Sequence, residues 1–230
     1  MTAQPAAQPL LRKDAELNRR RMIAAAREVF RDRGTGATLN DVAHHAGVGV
    51  GTVYRRFSNK EELVDALFED MVDTIDKYTR AALAEPDAWA ALTICLEKVC
   101  EVQAFDRGLR EVMLGTGGGP QRHAQMRERV GPGVGQLVAR AQQQGALRDD
   151  IVPGDFPILQ LMLGAVTEHT GQPEQWRRYL ALLIDGLRAR PGAATPLPGI
   201  SAAEDEIQEA IVVSSIREAR SRSEIQELLF

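Results

Sequence analysis

The chain has 230 residues, of which 44% are hydrophobic and 26% charged, and its 28 basic and 32 acidic side chains give a formal net charge of −4. This length suffices for one large or two small domains with a buried core, and the composition is that of an ordinary soluble globular protein. No apolar run approaches the roughly 18 residues of a membrane span, and no signal-peptide hydrophobic region follows the amino terminus. We therefore expect a cytoplasmic protein.

Charge is distributed unevenly along the chain. Residues 1–60 carry 11 basic and 5 acidic side chains, whereas the remaining residues carry 17 basic and 27 acidic ones. A basic amino-terminal quarter on an acidic body fits a small module that binds nucleic acid, because phosphate contacts are made by Lys and Arg. A solvated basic helix face without a partner accounts for the same charges.

The amino-terminal region is predicted to hold three short helices and the start of a longer one. Residues 1–13 begin with a Pro/Ala/Gln-rich stretch and are expected to form a disordered arm. An amphipathic helix follows from about Asp14 to Arg33. Thr38 is a suitable N-cap for a second helix, and Gly47 supplies the left-handed backbone that ends it. The sequence Ser58–Glu61 predicts a capping box that opens the fourth helix.

The third helix is predicted from about Gly49 to Phe57, with Val53 and Phe57 on its buried face. Two short helices joined by a Gly-containing turn and packed on a longer basic helix constitute a helix-turn-helix. Arg contacts guanine in the major groove, whereas Thr, Tyr and Lys commonly hold phosphate. The outward face of the third helix carries residues of these types without an apolar reason: Gly51, Thr52, Tyr54, Arg55 and Arg56. The glycines allow close approach to a groove wall, or they merely relax the start of a short helix.

The segment 38–68, TLNDVAHHAGVGVGTVYRRFSNKEELVDALF, resembles the DNA-binding domain of TetR-type repressors. The shared pattern is a Thr cap, an Ala-Gly-Val turn, Thr-Val-Tyr-x-x-Phe and x-Asn-Lys-Glu-x-Leu. The resemblance implies a dimer that places two recognition helices in successive major grooves of a palindromic operator. By position, it implies a DNA-binding domain over 14–60, a helix-turn-helix over 38–57, and these DNA-binding residues: Thr38, Val50, Gly51, Thr52, Tyr54, Arg55, Arg56 and Lys60.

Gly49 and Gly51 depart from the family pattern, since many relatives carry larger side chains at these positions. Base recognition is therefore expected to depend on Val50, through a thymine methyl group, and on Arg55. In such proteins Thr38 caps the second helix against a phosphate.

The expected fold class is all-α, with a three-helix DNA-binding domain, a helical-bundle body and about nine or ten helices in all. Residues 61–190 are expected to bind an effector and to form the dimer. A helix break is expected at Gly131–Gly133, where Gly-Pro-Gly interrupts a helical pattern. Residues 191–230 are expected to form a linker and an extra carboxy-terminal helical tail. The segment 201–230 docks on the body, swaps onto a partner or stays a loosely helical extension.

The two most apolar predicted helices run over about 155–169 and 173–190. Paired across a two-fold axis they give the four-helix bundle that the resemblance implies as the dimer interface. Its expected residues are Phe156, Leu159, Leu163, Trp176, Leu180, Leu183 and Leu187. The alternative is that one of these helices simply forms the core of the protomer.

The bodies of TetR-type proteins usually hold a small molecule, and soft or aromatic residues are suited to line such a pocket. Those expected here are Trp89, Phe105, Met113, Met126 and Met162, each of which also suits a plain core position. The chain has no His or Cys pair with metal-ligand spacing on one helix and no recognisable nucleophile–base arrangement. We therefore expect neither an enzyme nor a metal or other cofactor. Cys95 and Cys100 diverge on one helix and are expected to be buried small hydrophobes rather than redox sensors.

These observations predict a one-component transcription regulator, most simply a repressor that binds an operator as a dimer and is released by a small-molecule effector. Two other classes remain open. A non-specific architectural DNA-binding protein would share the basic amino-terminal end. A helical enzyme or interaction module with a vestigial helix-turn-helix would show no specific affinity for duplex DNA.

Overall fold

In the part of the chain that the structure describes, eight α-helices and the short 3₁₀ helix Gly34–Gly36 make up the regular structure, and there is no β-strand. The computed structural model describes residues 7–104, 119–190, 192 and 195–199. The helices are α1 (Ala7–Arg33), α2 (Leu39–His45), α3 (Val50–Arg56), α4 (Lys60–Leu83), α5 (Ala88–Ala104), α6 (Gly119–Gln143), α7 (Asp155–Thr170) and α8 (Gln175–Leu187). The predicted all-α class is confirmed. The further helical pieces expected near 109–114 and within 201–230 lie outside the described residues.

The described chain divides into two compact units, with the division inside α4 between Glu69 and Asp70. In the first unit, α2 packs against both α1 and α3. The core of this unit consists of apolar side chains at helical spacing on each element: Met22, Ile23, Ala26, Phe30, Leu39, Val42, Val53, Phe57, Leu63 and Leu67. The spacing on α1 to α3 is the one that predicted these helices from the sequence.

Two helix starts in this unit differ from the prediction. Helix α1 begins at Ala7, so the second half of the expected arm is helical, while residues 1–6 lie outside the described residues. Helix α4 begins one residue later than the expected capping box. Asn59 is its N-cap, because the Asn59 side chain accepts a hydrogen bond from the backbone N–H of Glu62 at 2.9 Å. The Glu62 carboxylate in turn accepts from the backbone N–H of Ser58 at 2.7 Å.

In the second unit α5 is central, since it packs against α6, α7 and α8. The predicted helix break at Gly131–Gly133 is wrong, because α6 continues through Pro132 to Gln143. Proline removes one backbone hydrogen bond and crowds the preceding turn, which disfavours but does not forbid a helix. Burial of Val130, Leu137 and Val138 along α6 offsets that cost.

The chain after α8 lies along the connector between α6 and α7. Leu147 and Arg188 form an antiparallel bridge. The Arg148 guanidinium donates to the carbonyl of Thr195 at 2.7 Å and also pairs with Asp150, whose pKa it lowers. Part of the expected linker is therefore bound to the second unit. Residues 201–230, with their three alternatives, lie outside the described residues.

Candidate DNA-binding interface

The start of α2 is fixed by a reciprocal cap, which confirms Thr38 as its N-cap. The Thr38 hydroxyl accepts from the backbone N–H of Asp41 at 3.2 Å, and the Asp41 carboxylate accepts from the backbone N–H of Thr38 at 2.9 Å. The same hydroxyl donates its hydrogen to Asp41 at 2.6 Å. These hydrogen bonds, with the nearby Arg33 guanidinium, lower the pKa of Asp41. Because the single hydroxyl hydrogen of Thr38 is committed to Asp41, a donor contact from Thr38 to phosphate would require it to turn away.

Two side-chain contacts that the sequence did not predict hold α2 on α1. Arg33 pairs with Asp41 near the first turn of α2, and His45 contacts Glu28 at its last turn. Leu39, the first residue of α2, is buried. No sequence signal predicts these pairs, since their partners are 8 and 17 residues apart on different helices. The start of α3 follows α2 through a turn in which Gly47 has a φ of 65°, as predicted.

Several side chains on the outward face of α3 are exposed to solvent. Val53 is fully buried, whereas Val50 is 45% exposed and Tyr54 is 48% exposed. Val50 and Tyr54 are four residues apart and thus share one face of this short helix. Arg55 lies on the adjacent strip, and its guanidinium donates to the Thr52 hydroxyl at 3.2 Å. The helix therefore presents apolar, hydroxyl and guanidinium groups together to solvent.

Gly51 leaves an open position on this surface. It is exposed, its φ is not positive, and a Cβ added to it would meet nothing within 4 Å. Neither a turn nor tight packing requires glycine here. No side chain therefore covers the backbone of α3 at Gly51.

Two cations flank the face of α3. The Arg56 guanidinium lies 5.8 Å from the centre of the Phe57 ring, and the Lys60 ammonium lies 5.6 Å from the centre of the Phe30 ring. Both separations are within cation–π range, so aromatic core residues help to orient these charges. Lys60 is also the first residue of α4, where the helix dipole adds positive potential. All eight predicted DNA-binding residues thus lie in the first unit on α3 or at the starts of α2 and α4.

The residues predicted to line the effector pocket differ in their exposure to solvent. Trp89 is half-buried with the Arg188 guanidinium 4.7 Å from its ring centre, and Met126 is half-buried on α6. Met162 is 54% exposed on α7. It lies about 100° around α7 from the buried Leu163. Phe105 and Met113 lie outside the residues described.

The residues predicted for the dimer interface differ in how far the single chain covers them. Five of them are buried within the single chain and belong to the core of the second unit: Phe156, Leu163, Trp176, Leu180 and Leu187. Leu159 and Leu183 are half-buried. The apolar residues that α7 and α8 leave exposed are Met162, Tyr179 at 39% and Leu182 at 62%. Burial of these side chains by the same chain agrees with the alternative stated above, in which one of the two helices forms the core of the protomer.

Cys95 and Cys100 are buried free thiols. Burial raises the pKa of both, and that of Cys100 reaches about 12. A protonated, inaccessible thiol is a poor nucleophile, which suits small hydrophobic core residues. Among the residues that the structure describes, no three His, Cys, Asp or Glu side chains are grouped to hold a metal ion. Within the same residues, no helix is long and apolar enough to cross a membrane.

Known proteins share both parts of this architecture. Residues 22–67 match the family model "Bacterial regulatory proteins, tetR family", and residues 86–189 match "Transcriptional regulator SbtR-like, C-terminal domain". The crystal structure of a TetR transcription regulatory protein from Mycobacterium vanbaalenii is 30% identical, with a TM-score of 0.59, over 78% of this chain and 99% of that one. The chain belongs to the TetR family. The resemblance carried by residues 38–68 is thereby confirmed.

Other transcriptional regulators match over different extents. The regulator TtgR of Pseudomonas putida is 39% identical over 77 residues, which is 33% of this chain and 37% of TtgR. The match thus spans little more than a third of that curated relative. The regulator FadR of Bacillus subtilis, solved in complex with stearoyl-CoA, is 20% identical with a TM-score of 0.58, over 73% of this chain and 98% of FadR. At that identity the likeness shows the fold alone.

Members of the TetR family are transcriptional regulators, and this places the present protein in that class. Its TetR-type amino-terminal match covers α2 and α3 completely, together with the second part of α1 and the start of α4. The solvent-exposed residues of α3 therefore lie in the region that the family shares.

Proposed function

We propose that this TetR-family protein is a cytoplasmic one-component repressor that binds a palindromic operator as a homodimer and leaves it when a small-molecule effector binds. Residues 14–60 form the DNA-binding domain and residues 61–190 the effector-binding and dimerisation domain. The observation that carries the proposal is the solvent-facing surface of α3. It combines the exposed Val50 and Tyr54 with two arginines in a helix whose opposite side is fully buried.

Each exposed group on α3 suits a different part of the duplex. Arg55 reaches the O6 and N7 atoms of guanine, and Val50 contacts a thymine methyl group. The hydrogen bond from Arg55 to Thr52 holds the guanidinium on the outward side, so Thr52 approaches the bases with it. Tyr54 and Arg56 contact phosphates on either side.

The cap of α2 and the start of α4 supply further phosphate contacts. Lys60 is oriented by the Phe30 ring at the positive end of α4. At the start of α2, the exposed Thr38 contacts phosphate once its hydroxyl turns from Asp41. Such contacts set affinity and register, whereas sequence preference comes from Arg55 and Val50.

The dimer interface is proposed on the exposed side of α7 and α8. Met162, Tyr179 and Leu182 are large apolar side chains that are left in solvent on these two helices. Their burial against the same face of a second copy gives an isologous contact around a two-fold axis. A two-fold dimer is also what a palindromic operator requires.

The effector is proposed to bind within the second unit. That FadR, a protein with the same fold, was solved with stearoyl-CoA supports a small-molecule site there without identifying the molecule. Trp89 and Met126 remain candidate lining residues because both are half-buried. The effector lowers operator affinity to the extent that it prefers the conformation of the dimer that does not bind DNA.

Selection of bound duplexes from a random DNA pool, followed by sequencing, tests the proposal. We expect an inverted repeat whose half-sites are about one helical turn, roughly 34–36 Å, apart. Arg55→Ala should lose preference at one base pair of each half-site, by about 1–3 kcal/mol. Arg80→Ala, which removes an exposed arginine from α4 in the second unit, is the matched control and should select the wild-type repeat. A pool without a common sequence would contradict the proposal and favour the architectural alternative.

A further inference from the structure

The amino-terminal half of α1 lies outside the domain that the TetR family shares. Helix α1 has 27 residues and begins at Ala7, whereas the family match begins at residue 22. Residues 7–21, which we call the α1 extension, therefore add about four helical turns before the shared domain. At a rise of about 1.5 Å per residue, the α1 extension is roughly 22 Å long.

The α1 extension is also the source of the excess positive charge. Residues 7–21 contain five basic and two acidic side chains, which gives a net charge of +3. The family-matched residues 22–67 contain six basic and six acidic side chains, and their net charge is zero. Because binding to duplex DNA depends on neutralisation of phosphates by Lys and Arg, the charge that favours it lies largely in front of the shared domain.

Helix α1 leaves the core of the first unit where the extension begins. Met22 and Ile23 are 2% and 3% exposed and belong to that core. Immediately before them, Arg20 and Arg21 are exposed, and Leu17 is 49% exposed. Among residues 17–21, none is buried. Apolar packing within the first unit therefore does not account for the continuation of α1 beyond Met22.

Contacts between α1 and α2 show in which direction the α1 extension continues. Arg33 pairs with Asp41 in the first turn of α2. Glu28, five residues earlier on α1, contacts His45, the last residue of α2. A step toward the amino terminus of α1 is thus a step toward the turn that leads into α3. Arg21 precedes Glu28 by seven residues, so it lies roughly 10 Å farther along the axis and only about 20° around the helix from Glu28.

We propose that the α1 extension is a second, sequence-independent DNA contact whose cations bind phosphates outside the half-site that α3 contacts. Phosphates of one strand follow each other at about 3.4 Å along the axis, so roughly 22 Å of helix spans about six of them. Duplex DNA is the favoured polyanion because the extension and α3 belong to the same compact unit and the extension continues past the start of α3. Such contacts raise affinity without adding base preference. This inference rests on the proposed function, in which α3 binds the operator.

Three variants test the α1 extension. Arg21→Gln removes one exposed positive charge and keeps a good helix-forming residue. Arg31→Gln is the matched control, because it makes the same change at an exposed position of the same helix, ten residues nearer its carboxy-terminal end. The triple variant Arg12→Gln/Lys13→Gln/Arg21→Gln removes three of the five positive charges of the extension. Thermal unfolding of each variant verifies that the protein is folded.

The first measurement compares two duplexes, one with the selected operator alone and one with about six base pairs of arbitrary sequence added at each end. Wild type and Arg31→Gln should bind the longer duplex at least about fivefold more tightly at 0.15 M salt, which is the gain from counterion release at one phosphate. The triple variant should lose most of this gain and retain the base preference of the wild type. Equal affinity of wild type for both duplexes would overturn the proposal.

The second measurement is the slope of log affinity against log salt on the longer duplex. Arg21→Gln should lower this slope by about 0.9 for each bound protomer, because one phosphate contact is lost. Between 50 and 200 mM salt, wild type should therefore lose about three- to fourfold more affinity per protomer than Arg21→Gln. Equal slopes for Arg21→Gln and Arg31→Gln would overturn the proposal and leave a solvated basic helix.

Failure of the proposed function is distinguishable from failure of this inference. If no operator is selected, the proposed function fails by that result alone. The salt slopes are then measured on a duplex of arbitrary sequence, which the α1 extension contacts in the same way. A smaller slope for Arg21→Gln than for Arg31→Gln supports the phosphate contact, and equal slopes overturn it.

Discussion

Leu182→Ala should dissociate the proposed dimer without unfolding the protomer. Leu182 is 62% exposed on α8, so a partner copy can still remove most of its surface from water. Full burial of a leucine side chain contributes about 1.5–3 kcal/mol, and the exposed fraction therefore corresponds to about 0.7–1.4 kcal/mol per copy after allowing for the Cβ that alanine retains. Because a two-fold interface contains the residue twice, the dimer should lose about 1.4–2.8 kcal/mol, a roughly 10- to 110-fold weaker association.

Sedimentation equilibrium over a range of protein concentrations measures this change, with thermal unfolding of the same samples beside it. Leu180→Ala is the internal comparison, because Leu180 lies two residues away on α8 and is buried in the protomer. Truncation there should lower the free energy of unfolding by about 2–5 kcal/mol, the usual cost of a cavity in a core. Leu197→Ala, at an exposed leucine outside α7 and α8, should change neither quantity appreciably.

The two leucines make the reasoning refutable. If Leu182→Ala leaves the association constant within about twofold of wild type, the exposed side of α7 and α8 is not the interface, since the lost burial would then be under 0.5 kcal/mol. If Leu180→Ala dissociates the protein and leaves its unfolding unchanged, the assignment of that residue to the core is wrong.

Three further predictions follow from the charges and thiols. Lys60→Ala should weaken binding to all duplexes alike and reduce the slope of log affinity against log salt by about one unit. Lys77→Ala, at an exposed lysine in the second unit, should change neither the affinity nor this slope. A sequence-dependent loss of affinity in Lys60→Ala would argue against a phosphate contact. The pKa of Asp41 is lowered by its hydrogen bonds with Thr38, so its contribution to stability is present above the ordinary carboxyl pKa of about 4 and is lost as the pH falls through the folded-state value. The unfolding midpoint of Asp41→Asn should accordingly lie below that of wild type at neutral pH and approach it in acid, and a constant difference would remove the ionised cap as the cause. Burial raises the pKa of Cys100 to about 12, so Ellman's reagent at pH 8 should modify Cys95 and Cys100 rapidly only after denaturation; fast reaction of the native protein would contradict their burial.

Local signals predicted the first unit well because its structure depends on local contacts. The Thr38 cap, the left-handed Gly47 and the burial of Val53 each follow from spacings of a few residues, and the structure has all three. The start of α4 was displaced by one residue, since Ser58 and Asn59 are both good caps and only the geometry of Glu62 distinguishes them.

The second unit shows what periodicity leaves undetermined. An apolar pattern on α8 identifies a buried face, but it does not state whether the cover comes from the same chain or from a partner. Leu180 and Leu182 were separated only by the packing of α8 on α5 and α7. Likewise, the Gly-Pro-Gly sequence of α6 predicts a break from local propensity, whereas a Cβ added to Gly133 would lie 2.5 Å from Cγ2 of Thr79, which gives a tertiary reason for the glycine.

The bare stretch of α3 at Gly51 bears on how such a regulator diverges after gene duplication. Nothing within 4 Å opposes a side chain there, and alanine or a larger residue would gain up to about 1 kcal/mol of helix propensity over glycine. A copy of the gene can therefore acquire a side chain at residue 51, on the proposed recognition surface, without loss of stability. Changes at Val53 or Phe57, in contrast, alter the core before they alter recognition. Under the proposed function, a substitution at residue 51 can change operator preference without lowering stability. Selection for stability therefore does not oppose divergence of paralogues at this position.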